Sequence, residues 1–61
     1  MNVHDAKEKN VRVKIKDGRE ISGFAWYTSA LDNPEGKRSL SIGNRIIFED
    51  EIESIEEINE Q

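Results

Sequence analysis

The chain has 61 residues, 36% of them charged, and a formal net charge of −4 at pH 7. With no Cys and one His, it excludes disulfide bonds and a tetrahedral zinc site built from this chain alone, and its apolar runs, such as 24–27 and 46–48, are too short for a membrane span. We therefore expect one small, soluble, cytoplasmic domain that depends on its apolar core.

The N-terminal part of the chain changes character at residue 10. Residues 1–9 show neither a helical nor a strand period, so we expect a flexible arm with at most a short helical turn. Beyond it, Val11, Val13 and Ile15 alternate with basic residues. This period of two predicts a half-buried first strand near 10–16.

A hairpin is predicted next. Asp17-Gly18 is a strong turn signal, because Gly adopts the positive φ that primed turns require. The returning strand, near 19–29, contains Gly23, which we interpret as the point where one long strand bends to serve both halves of a small barrel. Alternation cannot bury both Trp26 and Tyr27, so at least one of them should be partly exposed.

The middle of the chain holds a long loop. Asn33 precedes Pro34, which disfavours helix there, and Gly36 can close a turn. Gly43-Asn44 predicts a second tight hairpin. The remaining strands are predicted near 38–42, 45–49 and 53–58.

The C-terminal strand has an alternative. Ile52, Ile55 and Ile58 are spaced by three, which is also typical of one face of a helix. We favour a tight turn and a strand because the hairpin order leaves room for a fifth strand.

Catalysis is not expected. Asp32 and Glu35 lie in a solvated loop that offers no burial to separate their pKa values, and the Ser residues have no neighbouring His to act as a base. We predict no enzyme activity, no cofactor and no metal, since the acidic end matches no calcium-loop pattern.

Charge is distributed unevenly. A basic stripe of Arg12, Lys14 and Lys16 lies on the first strand, and residues 49–60 are acidic with no base. The stripe can follow a phosphate backbone, but we favour pairing of the first and last strands, which brings it near the carboxylates of Glu53, Glu56 or Glu57.

Exposed aromatic and loop residues are the candidates for partner binding, because aromatic side chains anchor interfaces and loops carry recognition. An apolar fourth strand also invites pairing with another chain, unless the N-terminal arm covers it. The candidate partner-binding residues are Trp26, Tyr27, Asp32, Asn33, Lys37 and Arg38. The candidate oligomer interface is Ile46, Ile47 and Phe48.

The stretch 16–21, Lys-Asp-Gly-Arg-Glu-Ile, followed by Gly23, resembles the first motif of the Sm and Sm-like family. The resemblance implies a strongly bent, five-stranded antiparallel barrel over about 9–58, usually assembled into rings that bind RNA. Segment 27–35 is also similar to small Sm-like proteins of Gram-positive bacteria and their phages, for which the resemblance implies no assigned activity.

The RNA pocket of that family is not matched. Thr28 and Asp32 stand where RNA-binding members place an Asp and an Asn, and Glu49-Asp50 stands where the second motif has Arg-Gly. Carboxylates repel phosphate, and the net charge is negative, so RNA binding is disfavoured.

The sequence thus predicts an all-β chain with a flexible arm at 1–9, a five-stranded Sm-like small barrel at 10–58 and a tail at 59–61. Its predicted function is a non-enzymatic interaction module that self-associates and binds protein partners. The alternative is an RNA-binding Sm-like ring protein with an altered base pocket.

Overall fold

The computed structural model describes residues 1–58 and shows an all-β fold; the predicted tail at 59–61 lies outside these residues. The strands are β1 (Asn10–Ile15), β2 (Glu20–Thr28), β3 (Ser39–Ile42), β4 (Arg45–Phe48) and β5 (Ile52–Glu57). Short 3₁₀ turns occupy His4–Ala6 and Glu49–Glu51. All five predicted strands are present, each within two residues of its predicted bounds.

The strands form one antiparallel sheet in the order β4-β3-β2-β1-β5. β2 takes part in both halves: its residues 20–24 pair with β1, and its residues 25–28 pair with β3. The sheet therefore bends strongly along β2, as predicted. Within residues 1–58, β4 and β5 do not pair, so the predicted barrel is an open, strongly bent sheet.

Gly23 lies just before the point where β2 changes partners. Its φ is +151°, and a Cβ built on it would stand 2.8 Å from Ile42 Cγ2. Real Cβ atoms do not approach side-chain atoms that closely. Glycine at this position thus lets Ile42 pack directly on the backbone of the bent strand.

The core fills the concave side of the sheet. Two of its residues, Val3 and Ala6, come from the N-terminal segment, which the sequence predicted as a flexible arm with at most a short helical turn. The turn is held to β2 by hydrogen bonds that Glu8 N–H donates to Ala25 O and Ala25 N–H donates to Lys9 O, each 2.9 Å long. The other buried apolar residues are Val11, Val13, Ile15, Ala25, Leu40, Ile42, Ile47 and Ile55.

The C-terminal ambiguity resolves to a strand. β5 pairs with β1, but the register shifts between Lys14 and Ile15, whose partners are Ser54 and Ile52. The extra residue in this bulge is Glu53, and it turns Ile52 and Ile55 to the same side of the sheet. The β-bulge therefore accounts for the spacing of three between Ile52 and Ile55.

Candidate functional site

The outer face of β2 exposes two aromatic rings. Successive side chains of a strand point to opposite faces, so Ala25 and Tyr27 face the core and Phe24 and Trp26 face outward. Trp26 is 59% exposed and Phe24 is 41% exposed. Their rings meet edge to face, with centroids 5.1 Å apart. The prediction that one residue of the Trp26-Tyr27 pair would be exposed is confirmed for Trp26.

Trp26 belongs to a row that crosses three strands. It pairs with Ser41 of β3, and Ser41 pairs with Ile46 of β4. Ile46 is 62% exposed and Ser41 is half-buried. The outer face thus presents a large side chain at each end of this row and a small one between them.

Two of the residues predicted to contact partners or other copies, Ile47 and Tyr27, face the core instead. Ile47 is buried, because it alternates with Ile46 and lies opposite Leu40 in the core; its assignment to an oligomer interface is corrected to a core position. Tyr27 is half-buried against the core, and its ring meets the ring of His4 edge to face at 5.1 Å. Phe48 is half-buried at the end of β4.

The outer edge of β4 is only partly free to form hydrogen bonds with another strand. A two-residue turn joins β3 to β4, so the backbone N–H and C=O of Ile46 point away from β3. The next outward N–H, that of Phe48, donates to Glu51 Oε2 at 3.3 Å. On β5, Ile58 N–H donates to Asn10 O at 2.8 Å, and because bonding alternates along the ladder, Glu57 N–H points away from β1.

Loop 29–38 is held in a fixed shape. Asn33 Nδ2 donates to Lys37 O at 2.7 Å and to Ser39 Oγ at 2.9 Å. Ser39 occupies an outward position on β3 and is nevertheless buried, so the loop lies over this end of the outer face. Asp32 is exposed, and Leu31 projects into solvent at 97% exposure.

The two bases of this loop are already paired. Lys37 Nζ lies 2.8 Å from Asp50 Oδ2, and Arg38 Nη2 lies 3.3 Å from Glu49 Oε1. These contacts raise the pKa of Lys37 and lower the pKa of Asp50, chiefly through the hydrogen bond between them. Asp50 and Glu49 therefore neutralise Lys37 and Arg38, the two cations that the sequence predicted to bind a partner.

Two residues of the basic stripe, Arg12 and Lys14, are paired in the same way. β1 and β5 are neighbours, and Arg12 Nη1 lies 2.9 Å from Glu56 Oε1. Lys14 Nζ lies 3.9 Å from Glu53 Oε2. The structure thus confirms the cross-strand pairing, which we favoured over a phosphate-binding stripe, for Arg12 and Lys14, two of the three residues of the stripe.

A shallow, open pocket of about 230 Å³ lies beside the N-terminus. It is smaller than the roughly 300–1,000 Å³ typical of ligand sites. Two of the charged side chains that line it, Arg38 and Glu49, form a salt bridge with each other. Its lining is Met1, Asn2, Val3, Arg38, Glu49 and residues 52–55. We assign no ligand to it.

Within residues 1–58, no three His, Cys, Asp or Glu side chains are grouped to hold a metal ion, and no helix is long and apolar enough to cross a membrane. No protein-family model, curated protein or solved structure matches the chain.

The sequence predicted that Trp26 and Ile46 contact partners or other copies, but it did not predict that they lie in one row across the sheet. The missing information was the pairing register, which places Ser41 between them. Phe24 was missed as an exposed residue although period-two alternation from Trp26 already indicates that both share a face. The salt bridges of Lys37 and Arg38 had no local signal, because their partners are more than ten residues away.

Proposed function

We propose that this chain is a non-enzymatic interaction module of the cytoplasm that self-associates and binds protein partners. The observation that carries the proposal is the open sheet: within residues 1–58 its two outermost strands, β4 and β5, each pair with a strand on one side only, so each leaves an outer edge unpaired. An unpaired strand edge is a template for pairing with another chain.

The free edges of β4 and β5 carry side chains of opposite charge. Arg45 is exposed at the start of β4, and the exposed side chains of β5 include Glu53, Glu56 and Glu57. Addition of β4 of one copy to β5 of another would bring opposite charges together while it satisfies the free backbone groups of Ile46 and Glu57. The contact is heterologous, so it generates a ring or a chain of copies.

Protein partners would use the remaining exposed features. Trp26 offers a large apolar anchor, and Leu31 and Asp32 stand on a loop whose shape is fixed by Asn33. Rigid loops and exposed aromatic residues bind with a small loss of conformational freedom. Membership of the Sm-like family is part of the proposal, supported by the five bent strands and by Gly23 at the bend.

An RNA-binding ring is the competing proposal. It needs cations free to contact phosphate, whereas Arg12, Lys14, Lys37 and Arg38 are each within 4.0 Å of a carboxylate oxygen. These pairs, together with the net charge of −4, favour protein partners over RNA.

Native mass tests the proposal. Light scattering on a sizing column should show an assembly larger than one copy, free of ultraviolet absorbance from nucleic acid. Glu57→Pro removes the N–H that faces the free edge without breaking a bond to β1, and it should dissociate the assembly. Glu57→Ala loses the same charge, keeps the N–H and should leave the assembly intact. An assembly that survives Glu57→Pro does not use the β5 edge, and RNA retained at high salt would favour the competing proposal.

A further inference from the structure

The N-terminal segment packs on the sheet without bonding to it. Within the described chain, 1–58, every hydrogen bond of residues 1–7 stays inside residues 1–9. Asn2 and Asp5 bond each other reciprocally: Asp5 N–H donates to Asn2 Oδ1 at 2.9 Å, and Asn2 N–H donates to Asp5 Oδ2 at 3.4 Å. Residues 1–7, which we call the strap, are therefore a self-contained unit.

Three side chains attach the strap to the rest of the fold. Val3 and Ala6 are buried in the core, and the ring of His4 meets the ring of Tyr27 edge to face at 5.1 Å. Among residues 1–58, the strap forms no salt bridge. Each strand of the sheet, by contrast, is hydrogen-bonded to at least one neighbouring strand. The strap should therefore separate from the sheet at a lower free energy than the strands separate from one another.

The strap crosses the concave side of the sheet. At one end, Ala25 N–H of β2 donates to Lys9 O at 2.9 Å, directly after the strap. At the other end, residues 1–3 and residues 52–55, which belong to β5, line the same shallow pocket. The strap thus runs from β2 to β5 over the side of the sheet that holds the core.

The connection between the strap and β1 is a strained turn. Lys9 N–H donates to Ala6 O at 3.2 Å, Lys7 has φ −56° and ψ 123°, and Glu8 has φ +57°. This is a type II turn, whose third position favours Gly or Asn because φ is positive there. Glu8 is the one non-Gly residue of 1–58 with a positive φ, and its side chain is exposed. A motion that extends the chain at Glu8 relieves this strain.

We propose that the strap opens as one unit about Glu8 while the five strands stay paired. The open state removes Val3 and Ala6 from the core and uncovers the half-buried ring of Tyr27. The apolar interior is thus accessible in the open state and covered in the closed one. The inference concerns a single copy of the chain and does not depend on the proposed self-association. With two small apolar side chains and one ring contact to hold it, the strap should be open in on the order of 1% of molecules.

Relaxation-dispersion NMR tests this motion, since it detects minor states that exchange in microseconds to milliseconds. The methyl groups of Val3 and Ala6 and the ring of Tyr27 should report one exchange process with a shared rate and a shared open fraction. Leu40, which is fully buried between strands, should not take part in it. The Glu57→Pro variant serves as the parent if the wild type assembles, so that the result is independent of self-association.

Two substitutions at Glu8 remove the same charge and act oppositely on the turn. Glu8→Gly relieves the positive φ, partly offset by the greater freedom of Gly in the open state, and should lower the open fraction about threefold. Glu8→Val places a β-branched residue at positive φ and should raise the open fraction about fivefold or more. Circular dichroism checks the fold of both variants. Glu8→Thr, also β-branched, replaces Glu8→Val if the latter does not fold.

Each outcome decides the proposal. A shared process at Val3 and Ala6 that shrinks in Glu8→Gly and grows in Glu8→Val supports the strap. Separate rates at Val3 and Ala6 would mean fraying from the terminus, and an equal process at Leu40 would mean global unfolding; either overturns it. Equal open fractions in the two variants overturn Glu8 as the hinge. Absence of exchange in both the wild type and Glu8→Val overturns the open state itself.

Discussion

The Glu49 carboxylate accepts two hydrogen bonds from Arg38, one from its backbone N–H at 2.7 Å and one from its guanidinium at 3.3 Å. This contact joins the end of loop 29–38 to the turn after β4. The backbone bond is the main reason that the pKa of Glu49 lies below its ordinary value of 4.5, since it favours the charged form.

Acid should therefore weaken the fold through Glu49. Because its pKa is lower in the folded chain, the unfolded chain binds the proton first as the pH falls. The contribution of Glu49 is complete above about pH 4.5 and is lost as the pH falls through the lowered folded value. Denaturant unfolding midpoints measured from pH 7 downward should decline in this range.

The variant Glu49→Gln isolates that contribution. It keeps an acceptor for Arg38 N–H but removes the titrating group, so the decline with pH should become shallower. Asp50 also has a lowered pKa, chiefly through its bond to Lys37, and a residual decline at lower pH is expected from it. An unchanged slope in Glu49→Gln would assign the acid sensitivity to other carboxylates.

Gly23→Ala should destabilise the protein by about 2 kcal/mol or more. The new Cβ would meet Ile42 Cγ2 at 2.8 Å, and overpacking of a core typically costs about 1–3 kcal/mol. Gly36→Ala is the control: Gly36 has φ +73° and open space around it, so only the backbone cost of about 1–2 kcal/mol applies. Chemical denaturation of both variants gives the comparison, and a larger loss at Gly36 contradicts the steric explanation.

Leu40→Ala and Leu31→Ala make the same substitution at opposite extremes of burial. Leu40 is fully buried, and the loss of a core Leu costs about 2–5 kcal/mol. A core of this size supplies only about 3–5 kcal/mol, so Leu40→Ala should leave the chain largely unfolded at 25 °C. Leu31→Ala should remain within about 0.5 kcal/mol of the parent. Thermal melts followed by circular dichroism distinguish the two.

Asn33→Ala should loosen loop 29–38 and cost about 1–2 kcal/mol, because the hydrogen bonds to Lys37 O and Ser39 Oγ are lost and the buried Ser39 hydroxyl is left without its donor. Adding Ser39→Ala to Asn33→Ala should cost less than the sum of the single changes. Strict additivity of the two free energies of unfolding would show that the Asn33–Ser39 bond does not stabilise the loop.

Local patterns were enough to predict the strands. Alternation in Val11, Val13 and Ile15, and the turn signals Asp17-Gly18 and Gly43-Asn44, each depend on residues close in sequence, and the sheet follows them. The bulge at Glu53 could not be predicted, because it exists only in the register between β1 and β5. It is a tertiary effect that imitates the spacing of a helix.

The candidate site was predictable only in part, for the same reason. That Trp26 is exposed follows from alternation along β2. Two other features depend on pairings across the sheet and its turns. One is the position of Ser41 between Trp26 and Ile46. The other is the neutralisation of Lys37 by Asp50 and of Arg38 by Glu49. Residue types alone do not specify which acid meets which base.

Because β2 pairs with both β1 and β3, it determines how the chain unfolds. One half of the sheet holds β1 and β5, the other holds β3 and β4, and β2 is the strand that both require. A loss of β2 leaves two pairs of short strands, and an isolated two-stranded hairpin is marginal in water. The sheet should therefore open as a single cooperative unit, with slowly exchanging amides on both sides of the bend protected to the same global free energy.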